Sequence, residues 1–164
     1  MKFGLLHLLE CPRGKSEVLM VQENIAMMQY ADTLGFDSVW LVEHHFSEYG
    51  VLPSAQMMAA AIAQRTKKVR IGTAVVVLPF NHPIRVAEEI ALADILCDGR
   101  IECGVGRGYQ RGEFAGFSIP MDESRERFTE SLDIIRKAWT TERFSYQGKY
   151  FQVEDVSVLP KPVQ

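Results

Sequence analysis

A chain of 164 residues, 47% of them hydrophobic, with a net charge of −3 is long enough for a packed core and too apolar to be disordered. The basic residues cluster only at Lys67-Lys68 and between Arg107 and Arg111, which argues against a nucleic-acid footprint. With no apolar run of about 18 residues and no signal-cleavage pattern after "MKFGLLHLLE", the N-terminus reads as the first strand of a cytoplasmic protein without a membrane segment.

Residues 2–8 are strand-like. From Ser16 onward Val18, Val21, Ile25 and Met28 recur at helical spacing, and Gly35 ends that helix. Phe36 to Val42 is a second short strand. After a loop through Tyr49-Gly50, Ser54 caps a helix carrying Met57, Met58, Ala61 and Ile62, with Lys67-Lys68 placed to suit its dipole. Val69 to Leu78 is nearly continuous in β-branched and apolar residues, the pattern of a strand buried on both faces of a parallel sheet. Pro83 opens a third helix that runs through Cys97 to Gly99, and Arg100 to Val105 is the fourth strand. Phe128, Leu132, Ile135 and Trp139 mark a fourth helix, and residues 143–157 alternate around Gln147-Gly148 as a β-hairpin does. Three widely spaced cysteines, Cys11, Cys97 and Cys103, give neither a disulfide framework nor a zinc site; Cys103 is expected inside a strand.

Four strand–helix units in succession predict an α/β fold with a parallel sheet, as a single domain over 1–164. An open doubly wound sheet and part of a (β/α)8 barrel both fit. A whole barrel takes about 250 residues, so on the second reading this is half of one.

The stretch "VWLVEHHFSEYG" places two histidines where the second strand ends. Strand alternation puts Val42 and His44 on one face and Glu43 and His45 on the other. Two ligands for one ion would need His-x-His, so the pair points to one working histidine, His44, with Glu43 and His45 as supporting neighbours facing away. His7 and His82 also follow strands, at the end where parallel sheets bind ligands. A histidine there suits the handling of a proton near neutrality. In "GRIECGVGRGYQRGEF", Gly104, Gly106 and Gly108 let backbone approach a flat ring or a phosphate, and Arg107 offers a bidentate guanidinium. The spacing is not that of the dinucleotide fingerprint.

The stretches "LVEHHFSEYG", "IGTAVVVLPFNHPIR" and "GRIECGVGRG", with "MKFGLLHLL" as first strand, resemble the bacterial luciferase-like flavin monooxygenases in order and spacing, over essentially the whole chain. The resemblance implies the first four βα units of a luciferase-like (β/α)8 TIM barrel. It further implies an FMN-dependent monooxygenase in which reduced FMN from a separate flavin reductase reacts with oxygen, through a flavin peroxide, to oxygenate a small organic substrate. By position, His44 matches the active-site histidine and Arg107 an arginine on the flavin phosphate. Ala74-Val75 matches a non-prolyl cis peptide against the flavin ring. Gly106, a further flavin-binding position, replaces luciferase's reactive cysteine, so light emission is not expected. Phe46, Val75, Val77 and Tyr109 are expected to wall the pocket. The second and third helices form luciferase's dimer interface, so Ala59, Ala60, Ala61 and Glu88 are candidates for contact in a homo-oligomer.

Three alternatives stand beside this reading. One is a deazaflavin-dependent hydride-transfer enzyme, and another a metal-dependent TIM-barrel hydrolase drawing on His7, His44 and His82. The third is a non-catalytic fragment. The half-barrel alone is expected to bind flavin weakly or not at all.

Overall fold

The computed structural model describes residues 1–164. Its central sheet is parallel and runs β1 (Gly4–His7), β2 (Ser38–Leu41), β3 (Arg70–Thr73), β5 (Ile101–Glu102), each strand beside its predecessor. This order separates the two architectures that periodicity left open. A doubly wound sheet reverses direction at a switch point, whereas here every strand is added on the same side, as in a barrel wall.

Local chemistry sets the connecting helices. The Ser16 hydroxyl accepts the Leu19 N–H at 3.3 Å and opens α1 (Glu17–Leu34), which Gly35 closes at φ 82°. Ser54 does the same for α2 (Ala55–Ala63), accepting from Met57 N at 3.2 Å. Lys67 and Lys68 lie past the end of α2 and do not serve its dipole. Their backbone amides, with that of Val69, donate to the Asp32 carboxylate at the end of α1 at 3.0, 2.8 and 2.7 Å. The carbonyls at the end of α2 are taken by Arg100, which donates to Ala63 O and Thr66 O. Pro83 begins α3 (Pro83–Leu96), and α5 (Ser124–Thr140) is the long fourth helix expected from its apolar spacing. Ile62, Val69, Ile71, Ile90, Ile101, Ile134 and Ile135 fill the space between sheet and helices.

The third and fourth strands are each broken, contrary to the sequence reading. After β3, the Ala74–Val75 peptide is cis, and β4 (Val76–Val77) follows, ending in a 3-10 turn at Leu78–Phe80. After β5, Cys103 and Gly104 interrupt the chain before β6 (Val105–Gly106). Across the break the pairing slips by one residue, from Gly72↔Glu102 to Val76↔Val105. The cause is a close approach of the two backbones. Thr73 Oγ1 and Val76 N both donate to Gly104 O, at 2.7 and 2.9 Å. A Cβ at position 104 would collide with the Thr73 carbonyl oxygen, so only glycine fits. A one-residue slip changes which side chains of the two strands face together, and this occurs just below the mouth of the sheet.

Between β6 and α5 lies a short helix, α4 (Arg111–Gly116), that the sequence pattern did not announce. Beyond α5, β7 (Phe144–Gln147) and β8 (Gln152–Val156) form the expected antiparallel hairpin, which pairs with no strand of the parallel sheet. It is fastened to α5 instead. Glu130 accepts the consecutive amides of Lys149, Tyr150 and Phe151 at 2.8, 3.0 and 3.2 Å, and Glu126 accepts the Tyr150 hydroxyl at 2.7 Å. At the other side of the sheet β1 has one neighbour, with Phe3, Leu6, Tyr30 and Leu34 exposed along that edge. No helix is long and apolar enough to cross a membrane.

Candidate functional site

The histidine and the four flavin positions expected from the resemblance, His44, Ala74, Val75, Gly106 and Arg107, line one cavity of about 410 Å³ at the C-terminal ends of the strands. Val77 and Tyr109 stand in its wall as expected, joined by Leu6, Leu8 and Tyr49. Arg107 is exposed and makes no ion pair, so its guanidinium is free for an anion. Gly106 is bare for a steric reason: a Cβ there would collide with Cγ2 of Val75. The valine fills the place where a thiol would stand.

His44 is 6% exposed and held from two directions. Its backbone N–H donates to Leu52 O at 3.1 Å. Its ring Nδ1 lies 2.9 Å from Oε1 of Glu113, on α4, and 3.0 Å from Nε2 of Gln110, the residue before that helix. The same Glu113 oxygen accepts the His45 backbone N–H at 3.0 Å. Glu113 is 3% exposed, so a buried carboxylate clamps two successive residues of the histidine stretch. The Tyr49 ring tilts against His44 with centroids 5.3 Å apart, and Tyr109 meets it edge-on at 6.3 Å.

Glu43 does not simply face away. It lines the His44 cavity and also a second cavity that contains His45. Its Oε1 accepts Val77 N–H at 3.3 Å and lies 3.4 Å from His45 Nε2. The alternation argument fails here because β2 ends at Leu41, two residues too early. His45 sits among the rings of Phe46, Phe80 and Phe117, 5.8, 5.9 and 4.7 Å away. Phe46 is absent from the cavity of Ala74 and Gly106 and lines, with His44 and His45, a neighbouring one of about 590 Å³. Its φ of 58° turns it aside, against Gly116 and Phe117, where it is largely exposed.

The remaining histidines serve the fold. His82 caps α3, its Nδ1 accepting Ile84 N–H at 3.3 Å. His7 is buried at the end of β1 with Nδ1 3.2 Å from Asn24 Oδ1 and no partner for Nε2. No three His, Cys, Asp or Glu side chains are grouped to hold a metal ion, and His7, His44 and His82 do not converge. That arrangement speaks against the hydrolase alternative. Cys103 lies between β5 and β6, not inside a strand, and burial pushes its thiol up to about 11. Ala59 is wholly buried in the chain's own core and has no surface for a subunit contact, whereas Ala60, Ala61 and Glu88 are half-buried.

Burial also lowers the pKa of His7 from 6.5, against the raising effect of the Asn24 hydrogen bond. The folded state therefore takes up a proton less readily than the unfolded chain. The stability tied to a neutral His7 is present above about 6.5 and is lost as pH falls through the lowered folded value. Urea midpoints measured from pH 8 to 5 are expected to decline below about 6.5, and to decline less in His7→Gln. Parallel curves for the two proteins would contradict this.

The chain matches the luciferase-like monooxygenase family along residues 1–164. It is 37% identical to the monooxygenase RslO1 of Streptomyces bottropensis, whose crystal structure superposes with a TM-score of 0.96 over 100% of this chain and 50% of that one. The alkanal monooxygenase alpha chain of the Kryptophanaron alfredi symbiont is 34% identical across 98% of this chain and 45% of its own. The oxygenating constituent of 3,6-diketocamphane monooxygenase from Pseudomonas putida, a type II Baeyer-Villiger monooxygenase solved with FMN, is 27% identical. Its TM-score is 0.88, over 93% of this chain and 43% of that one. The chain thus spans about half the length of the relatives it matches, and its sequential strand order is that of the first four units of their barrel. On the match of its full length, and on a fold shared at that superposition, the chain belongs to the luciferase-like monooxygenase family.

Proposed function

We propose that this chain carries the His44-bearing half of an FMN-dependent monooxygenase centre, which oxygenates a small organic substrate using reduced flavin delivered by a separate reductase. The observation that carries the reading is the convergence of His44, Ala74, Val75, Gly106 and Arg107 on one cavity. Two relatives named as monooxygenases at 34% and 37% identity support the reaction class. A relative solved with FMN and described as an oxygenating constituent supports both the cofactor and a second component.

The residues present fit a phosphorylated flat ring. Gly104 and Gly106 set the close approach of the two strands, the space beside them being filled by the Thr73 carbonyl and by Val75 Cγ2, so the surface that meets a planar group is made by other residues. Val75, Val77 and Leu8 give it an apolar wall, and the unpaired Arg107 can take a phosphate bidentately. Reduced flavin bound there supplies the electrons that activate oxygen. The chain's part is to orient the ring, keep water from it and hold a proton at His44.

Titration of the chain with FMN, followed by backbone amide shifts, is expected to move residues 74–77 and 104–109 in a saturable manner at weak affinity. Arg107→Ala is expected to weaken FMN about 10- to 100-fold, the worth of a hydrogen bond to a charged group, and to leave riboflavin, which lacks the phosphate, nearly unaffected. Absence of these shifts at millimolar FMN in a complete barrel built on this chain would sink the flavin reading. The α2 and α3 faces, with Met57, Leu92 and Ile95 exposed, are the surfaces we assign to homo-oligomer contact.

A further inference from the structure

Resting on that reading and deepening it, we propose that Glu113 is the positioning residue of the site: it fixes His44 in the tautomer that keeps the proton on Nδ1 and leaves Nε2 free as the acceptor.

The argument is one of donors and acceptors. Oε1 of Glu113 receives the His45 backbone N–H at 3.0 Å, and a backbone N–H can only donate. As a carboxylate Glu113 has no hydrogen to give, so this oxygen only accepts, and His44 Nδ1, 2.9 Å from it, must supply the hydrogen that bonds it. An imidazole with its proton on Nδ1 has its lone pair on Nε2. Gln110 Nε2 lies 3.0 Å from the same Nδ1 and cannot donate to a nitrogen that already bears a proton. Its carboxamide is satisfied by turning its oxygen there, to share the proton with Glu113.

Burial makes the arrangement selective. His44 and Glu113 are 6% and 3% exposed, so water cannot replace the carboxylate as partner. The placement of Glu113 also links two tasks. The segment from Gly104 to Glu113 carries Arg107 into the cavity and, six residues later, the carboxylate that aims His44. A ligand that orders Arg107 orders the orienting group on the same stretch of chain.

The test needs no flavin. Long-range ¹H–¹⁵N correlation of the His44 ring in the chain as it stands is expected to show a protonated Nδ1 and an unprotonated Nε2, in excess by about tenfold or more. The opposite tautomer in the unsubstituted protein would overturn the proposal, whatever any variant does. Glu113→Gln keeps an acceptor oxygen at the same place and is expected to retain the Nδ1–H form. Glu113→Leu combined with Gln110→Leu removes both acceptors from Nδ1 and is expected to abolish that excess. An unchanged tautomer ratio in the folded double variant would show that the carboxylate only packs. Because the readout is cofactor-free, a wrong tautomer defeats this proposal alone, whereas missing FMN shifts in the complete barrel defeat the flavin reading alone.

Discussion

In a complete barrel built on this chain, His44→Ala is expected to lower substrate oxygenation about 10²- to 10⁴-fold, the usual contribution of a positioned acid–base group. Flavin binding should survive. The ring of His44 reaches the cavity from the end of β2, while the groups that suit the flavin, Ala74, Val75, Gly106 and Arg107, come from the next two strands. The FMN-dependent shifts of residues 74–77 and 104–109 should accordingly persist in the variant. Measured together, oxygen uptake with reduced FMN and product formed per oxygen consumed separate a lost proton handler from a lost cofactor. Product formation at the unsubstituted rate would remove His44 from the chemistry.

The second large effect is on stability. Gly104→Ala is expected to destabilise the fold by about 3 kcal/mol, at the upper end of overpacking. The added methyl meets the Thr73 carbonyl oxygen, a backbone atom that cannot rotate out of the way. Relief requires parting the two chains, which breaks the bonds from Thr73 Oγ1 and Val76 N to Gly104 O. Gly112→Ala is the control, because a Cβ there meets nothing within 4 Å. A difference of less than about 1 kcal/mol between the two variants in urea unfolding would mean that the strands part easily at this level.

Much of the frame was legible because it is written in local chemistry. Ser16, Ser54, Gly35 and Gly99 announce helix ends through a hydroxyl that accepts an amide or a φ that only glycine adopts freely, and each stands where the structure needs it. The glycine loop with Arg107, and the hairpin after α5, were readable for similar reasons. The breaks in the third and fourth strands were not. "VRIGTAVVVL" favours extended structure throughout, and what divides it is the contact of Thr73 with Gly104, thirty-one residues away in the chain. Phe46 lines a cavity with His44 but not the one of Ala74 and Gly106, because its positive φ, which leaves no trace in composition, turns it aside. Glu113 was missed altogether. It belongs to a six-residue helix too short to show periodicity, and its partner His44 is 69 positions away. Neither architecture could be chosen from spacing alone, since both alternate strand and helix; the order of strands chose it.

The hairpin of β7 and β8 belongs to the helix and not to the sheet. Its attachment is a handful of bonds to Glu126 and Glu130 and the inward packing of Phe144 and Val153. Since no strand of the parallel sheet pairs with it, the register that aims His44 does not depend on it. Its turn is the fastening itself, because Lys149, Tyr150 and Phe151 supply the bonds to α5, so a graft that replaced the turn would loosen the hairpin and spare the sheet.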